Sequence, residues 1–155
     1  MPDVVDKATR SRMMSGIQGK NTRPEMALRR LLHGMGFRYR LYAKDLAGKP
    51  DLVFPRYRAV IFVHGCFWHR HPGCRYTTNP ATRAEFWQEK FAGTVERDRR
   101  AIERLTKDGW RVAVVWECAL KQRQDAEVAA QLAKWLRSDV PLIEIPETPH
   151  EPSRA

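Results

Sequence analysis

The sequence predicts an α/β fold in one compact domain: a mixed central sheet flanked by helices. Three observations carry this. Ala59–Val63 and Trp110–Trp116 are short and almost wholly apolar, as strands buried on both faces are. Apolar residues recur at helical spacing in three other stretches, each with start or stop signals. The chain has 155 residues, 43% of them apolar, which is enough for one buried core.

Residues 1–21 are polar, with Met13, Met14 and Ile17 as their apolar cluster and Gly16 and Gly19 against a stable helix. Both a frayed terminus and an arm that folds on binding fit this segment. A helix starts near Thr22, where Thr22-Arg-Pro-Glu25 forms a capping box with proline in the first turn. Met26, Leu28, Leu31, Leu32 and Met35 give it an apolar face, and Gly34 and Gly36 end it. Phe37–Leu41 alternates as a first strand. Strands two and three follow at Asp51–Phe54 and Ala59–His64, and residues 65–81 form a loop of Gly, Pro, Cys, His and aromatics.

Thr82-Arg-Ala-Glu85 is a second capping box, opening a helix to about Asp108 with a weak point at Gly93–Thr94. Phe86, Phe91, Val95, Ile102 and Leu105 supply its apolar face. Gly109 stops it, and Trp110–Trp116 is a fourth, buried strand. A last helix covers about Asp125–Arg137, with Val128, Leu132, Trp135 and Leu136 facing inward. Residues 141–155 carry four prolines and read as an extended or disordered tail, so the domain spans 22–140.

Charge narrows the function class. A net charge of +10 fits a chain that meets a polyanion, since Lys and Arg release counterions when they neutralise phosphates. A basic surface kept for solubility is the alternative. No run of eighteen apolar residues exists to span a membrane, and MPDVVDKATRSR is too polar for a signal peptide, so a cytoplasmic location is expected. Three cysteines cannot all pair within the chain, and a reducing compartment disfavours disulfides.

Four constellations carry chemistry. Cys66-x4-His71-x2-Cys74 offers three zinc ligands in one loop, and Cys118, just past strand four, supplies a fourth for a tetrahedron. The alternative is three incidental thiols beside solvated histidines. Pro50-Asp51 before an apolar strand is similar to the Pro-Asp…(Asp/Glu)-x-Lys core of restriction endonucleases, with Phe62-Val63-His64 in place of acid-x-Lys. Aspartate before a strand is also a common turn residue. His64 and His69 suit acid–base work near neutrality, or serve as structural histidines. Phe67-Trp68 and Phe86-Trp87 sit in or beside a polar loop, where aromatics among cations stack on bases; for Phe86 the helical spacing favours the core instead.

Taken together, DKATRSRMM, KPDLV, AVIFVHGCFWHRH, PATRAEFWQEK, VERDRR and GWRVAVVWECAL resemble the very short patch repair (Vsr) endonuclease family, over nearly the whole chain to about residue 120. The resemblance implies a restriction-endonuclease-like core with a structural zinc, acting as a monomer on double-stranded DNA. It implies a strand-specific nick 5′ of the thymine in a T·G mismatch left by deamination of 5-methylcytosine. Asp51 and the main-chain carbonyl of Val63 would hold Mg²⁺, His69 would be the general base, and Asp98 its carboxylate partner. His64 would contact the phosphate or water, and Glu25 would assist through metal-bound water. Cys66, His71, Cys74 and Cys118 would bind Zn²⁺. Phe67, Trp68 and Trp87 would intercalate from the major groove and Met14, in the arm of residues 1–21, from the minor groove.

Two features depart from the family pattern. Val63 stands where threonine is common, which matters little if the ligand is the main-chain oxygen. His71-Pro-Gly-Cys74 is one residue longer, so His69 also comes within reach of the zinc; assigning His71 to it leaves His69 for catalysis. A T·G wobble stacks poorly, so parting its neighbours costs less than in a matched duplex, and aromatic wedges convert that difference into selectivity. Three alternatives remain at this level: a restriction or broader mismatch endonuclease on the same core, a zinc-containing DNA-binding module without catalysis, and a zinc structural or interaction domain without salt-dependent DNA affinity.

Overall fold

The computed structural model describes residues 23–41, 43–120 and 125–146. In chain order these form α1 (Arg23–Gly34), β1 (Arg40–Leu41), β2 (Leu52–Phe54), a 3₁₀ turn (Pro55–Tyr57) and β3 (Ala59–His64). There follow α2 (Cys66–His69), α3 (Ala84–Lys107), β4 (Arg111–Trp116), a second 3₁₀ turn (Glu117–Leu120), α4 (Asp125–Leu136) and β5 (Leu142–Ile145). The expected arm at 1–21 with Met14, the cap at Thr22, and the end of the tail lie outside the described residues.

The strands form one mixed sheet in sequence order. β1, β2 and β3 pair antiparallel; β3, β4 and β5 pair parallel. Each parallel step needs a crossover helix, and α3 and α4 supply them. The uniform apolarity of β3 and β4 has its cause in what covers them. Ala59 and Ile61, with Ala113 and Val115, share a core with Leu28 and Leu32 of α1 and Leu132 and Leu136 of α4. Val60, Phe62, Val112 and Val114 turn to the opposite face and pack against Leu105 of α3. Both faces are therefore dry.

β5 corrects the expected tail. Leu142–Ile145 pairs in parallel with Val112–Val115, and the Val112 N–H donates to the Pro141 carbonyl at 2.9 Å. Pro141 precedes the strand and no residue within it lacks an N–H for the ladder, so the sheet runs past residue 140. β1 is shorter than expected. Only Arg40 and Leu41 pair with β2, while Phe37 leaves the strand register and buries itself against Phe54 and Tyr57.

The start of α3 is also corrected. Its N-cap is Arg83, in the left-handed region at φ 57°, and no side chain caps it. With the cap one residue late, Thr82 lies outside the turn and its hydroxyl is out of place for the box. No break occurs at Gly93–Thr94, because Phe91, Ala101 and Leu105 anchor both halves, against the ~1 kcal/mol that a helical glycine costs. Two members of the expected apolar face stay in solvent: Phe86 and Val95 are each 45% exposed. At the other end of the fold, Arg111 donates to the carbonyls of Trp135 and Leu136, satisfying the last turn of α4.

Candidate functional site

Both parallel strands β3 and β4 end on the same edge, where ligand sites of open α/β sheets form. The register sets what meets there. His64 pairs with Trp116, so Cys66 and Cys118 lie two residues beyond equivalent positions. Parity along β3 puts His64 on the same face as Phe62, the face that α3 covers.

Asp51 sits at the mouth of β2, beside the end of β3. Its Oδ2 accepts from the Val63 N–H at 2.7 Å, which ties the carboxylate to the main chain of Val63. Burial pushes the Asp51 carboxyl up to about 7; the nearby Glu25 carboxylate adds to the rise, and the Val63 bond opposes it. Glu25 comes from the first turn of α1, is 1% exposed, and is bridged to Arg29 at 3.4 Å. The two carboxylates are close enough for the charge on Glu25 to raise the pKa of Asp51.

Gly65, extended, ends β3, and one helical turn follows, closed by the His69 N–H on the Gly65 carbonyl at 3.0 Å. That turn lays the His69 ring flat on His64, with centroids 3.9 Å apart and planes 5° from parallel. His69 Nδ1 lies 2.7 Å from Asp98 Oδ2, which arrives from the middle of α3. His64 is 6% exposed, and burial, followed by the neighbouring His69, holds its pKa well below the usual value. His64, His69 and Asp98 bring their nitrogens and oxygens within 4.8 Å of one another. Parallel rings aim their lone pairs side by side and not at one point, so this trio fits proton handling better than a metal cage. Asp51, His64, His69 and Asp98 line a cleft of about 510 Å³, and Lys44, Lys49 and Arg97 add cations to its wall. Sequence reasoning missed these three; Arg97, beside Asp98 in VERDRR, was the one with a signal.

Beyond His69, Arg70 takes the left-handed conformation and turns the chain back, so the His71 N–H meets the Cys66 carbonyl at 3.1 Å. Thr77 then donates to the carbonyl of His71 at 2.8 Å and closes the loop. The ligand atoms of Cys66, His71, Cys74 and Cys118 fall within 4.8 Å of one another, and none of the thiols is in a disulfide. Cys118 Sγ is 3.5 Å from His71 Nδ1. Burial pushes the Cys66 thiol well above its usual pKa and raises that of Cys118, and the nearby Cys74 adds to both. Three thiols and one imidazole packed this closely form the donor set of a closed tetrahedral zinc site, and a cation would offset the cost of ionising them. The donor set fits zinc.

Phe67, Trp68 and Trp87 lie half-buried in one cluster with Phe86 and Phe91. Phe67 meets Phe91 edge-on at 5.2 Å, and Trp87 stacks on Phe91 at 5.5 Å. Buried Phe91 is the base of the cluster. Arg70 lies 3.9 Å over the Phe91 ring and Arg83 4.5 Å over Phe86, so cations flank the aromatics. Phe86, expected in the core, stands at the exposed edge instead. Helical spacing marked it as apolar, but at the first turn of α3 it is left 45% exposed.

The profile of the family described as DNA mismatch endonuclease Vsr matches residues 2–75. The chain is 50% identical over 139 residues to the DNA mismatch endonuclease Vsr of Escherichia coli (strain K12), covering 88% of each chain. It is 50% identical over 120 residues to the type II nicking enzyme V.XorIIP of Xanthomonas oryzae pv. oryzae, covering 77% of this chain and 88% of that one. Its identity to the type II nicking enzyme V.NmeAIP of Neisseria meningitidis is 42% over 123 residues, covering 79% and 87%.

Proposed function

The chain belongs to the Vsr family of DNA mismatch endonucleases, and from that premise we propose that it nicks one strand of a mismatched DNA duplex, 5′ of the thymine of a T·G pair. The observation that carries the catalytic reading is the pairing of His69 with Asp98, beside Asp51 and His64, in a cleft lined by cations.

Asp98 accepts the Nδ1–H of His69, so the Nε2 lone pair is the one presented to an attacking water. The carboxylate also stabilises the imidazolium once that proton has moved. His64, kept neutral by burial, offers a ring nitrogen to the phosphate or the water without bringing charge. Asp51 and the Val63 carbonyl would hold a divalent cation, magnesium by its preference for oxygen donors, which supplies neutralisation of charge on the phosphate. Glu25, beside Asp51, orients water around that position. Lys44, Lys49 and Arg97 draw the DNA backbone into the cleft.

Cys66, His71, Cys74 and Cys118 would hold a structural zinc, fixing the loop on which His69, Phe67 and Trp68 stand. Phe67, Trp68 and Trp87 then wedge into the weakly stacked mismatch. Met14 would enter from the opposite groove. The protein acts as a monomer on double-stranded DNA, within the cytoplasm.

The test is nicking of a panel of duplexes, T·G against matched and other mismatched pairs in varied flanks, with Mg²⁺ and mapped nick positions. Selective cutting 5′ of the thymine that Asp51→Ala abolishes is expected. Equal cutting by Asp51→Ala, or binding without cutting at any Mg²⁺ or Mn²⁺ concentration, would overturn the catalytic reading.

A further inference from the structure

The fifth strand carries one acidic residue, Glu144, opposite Val114 of β4. Its Oε2 accepts from the Trp116 indole Nε1–H at 2.6 Å. That indole is the surface on which His71 lies: the rings stack 4.3 Å apart and 12° from parallel. Glu144 therefore holds the floor beneath a member of the Cys/His centre.

His71 itself is 1% exposed, with Nδ1 turned to Cys118 Sγ at 3.5 Å. The other ring nitrogen, Nε2, is buried and has no hydrogen-bond partner among the described residues. A buried polar nitrogen without a partner calls for an explanation. Coordination through Nδ1 requires that nitrogen to be bare, so the ring proton moves to Nε2, and a metal-bound imidazole of this kind is oriented by an acceptor for its other N–H.

We infer that Glu144 is the outer carboxylate of the Cys66–His71–Cys74–Cys118 centre, accepting from Trp116 Nε1 and from His71 Nε2 so that His71 presents Nδ1 to the zinc. This rests on the reading of that cluster as a zinc site. Glu144 is a positioning residue: it acts through His71 and touches neither metal nor DNA. The inference gives β5 a purpose that its place at the sheet edge does not, since a crossover back to β4 is what brings a carboxylate under a ligand from the loop after β3.

The experiment uses zinc-loaded full-length protein with Glu144 unaltered, Glu144→Gln and Glu144→Leu. Two quantities are read: the rate of zinc transfer to a chromophoric chelator, and the His71 Nε2–H proton by NMR. Expected is release faster by about 10–100-fold in Glu144→Leu, a smaller rise in Glu144→Gln, which keeps one acceptor oxygen, and a protected Nε2–H seen in the unaltered protein and lost in Glu144→Leu. Should the leucine variant fail to fold, the glutamine variant decides by the same readouts. Zinc held as firmly in both variants, within about two-fold, overturns the role of Glu144 and leaves the zinc reading standing. A purified chain that takes up no zinc overturns both.

Discussion

The imidazole rings of His64 and His69 lie face to face, 3.9 Å apart and 5° from parallel, and His69 is hydrogen-bonded to the Asp98 carboxylate at 2.7 Å. Two imidazolium rings in that contact would repel, and burial already disfavours charge on His64. Charge is disfavoured on His64, and the ring that faces the Asp98 carboxylate is His69.

Asp98→Asn keeps the shape of that partner and removes its charge. Single-turnover nicking should fall on the order of 10²–10⁴-fold, with DNA affinity nearly unchanged. Nicking at the normal rate would show that His69 is not the base that Asp98 orients.

Asp51 carries a pH signature. Its folded pKa of about 7 stands above the ordinary 3.8, so the folded state binds this proton more tightly than the unfolded one. The stability it contributes is complete below about 3.8 and is lost as pH rises through about 7. Asp51→Asn should therefore stabilise the metal-free protein at pH 8, by a few kcal/mol at most since each pKa unit is worth about 1.4 kcal/mol. The gain should shrink as pH falls from 7 toward 4, and nicking should be lost throughout. Denaturant melts of both proteins across that range read it directly; a gain that grows toward low pH has the wrong sign.

Removing one ligand tests the metal centre. Cys118→Ser should bind zinc far more weakly and lower the melting temperature on the order of 10 °C, as should chelation of the unaltered protein. Metal analysis and thermal scans, with and without chelator, check both. An unchanged melting temperature would mean the loop is held by packing alone.

The aromatic cluster divides into a base and an edge. Phe91→Ala should cost stability of about 3–5 kcal/mol, because its ring is buried. Phe86→Ala should leave stability within about 0.5 kcal/mol and weaken DNA binding by about 1–3 kcal/mol, the worth of one stacked base. Trp68→Ala should reduce preference for the mismatch more than affinity for matched DNA. Titrations on matched and T·G duplexes separate these outcomes.

Gly48 holds the loop before Asp51 in place. It has φ 74°, and a Cβ there would come within 2.7 Å of the Ala101 Cβ and 3.1 Å of the Phe62 ring. Gly48→Ala should destabilise the fold by 1 kcal/mol or more, roughly, and slow nicking by shifting Asp51. Equal nicking rates would show that the loop absorbs the change away from Asp51.

Much of the site was legible along the chain. β3 matches its expected span residue for residue, because burial on both faces leaves an uninterrupted apolar run in the sequence. The three cysteines and His71 stand out by type and spacing, and Asp51, His64 and His69 flank the same strand pair. The edges were harder to read. β1 and β5 sit at the two sides of the sheet, where pairing on one side asks little of composition, and prolines made β5 look like a tail.

Apolar periodicity determines by itself which residues are buried and which elements they build, and the ligand types determine by themselves that metal chemistry is available. How those elements slide against one another is a tertiary decision. The parallel register His64↔Trp116 brings Cys118 level with Cys66, across more than fifty residues of chain. The path of α3 over the sheet carries Asp98 to His69 and leaves Phe86 in solvent. The crossover through α4 returns Glu144 beneath Trp116. A period of 2 or 3.6 residues marks faces, and it holds no information about the offset between two faces that meet. Side-chain packing between elements sets that offset, and the site is made there.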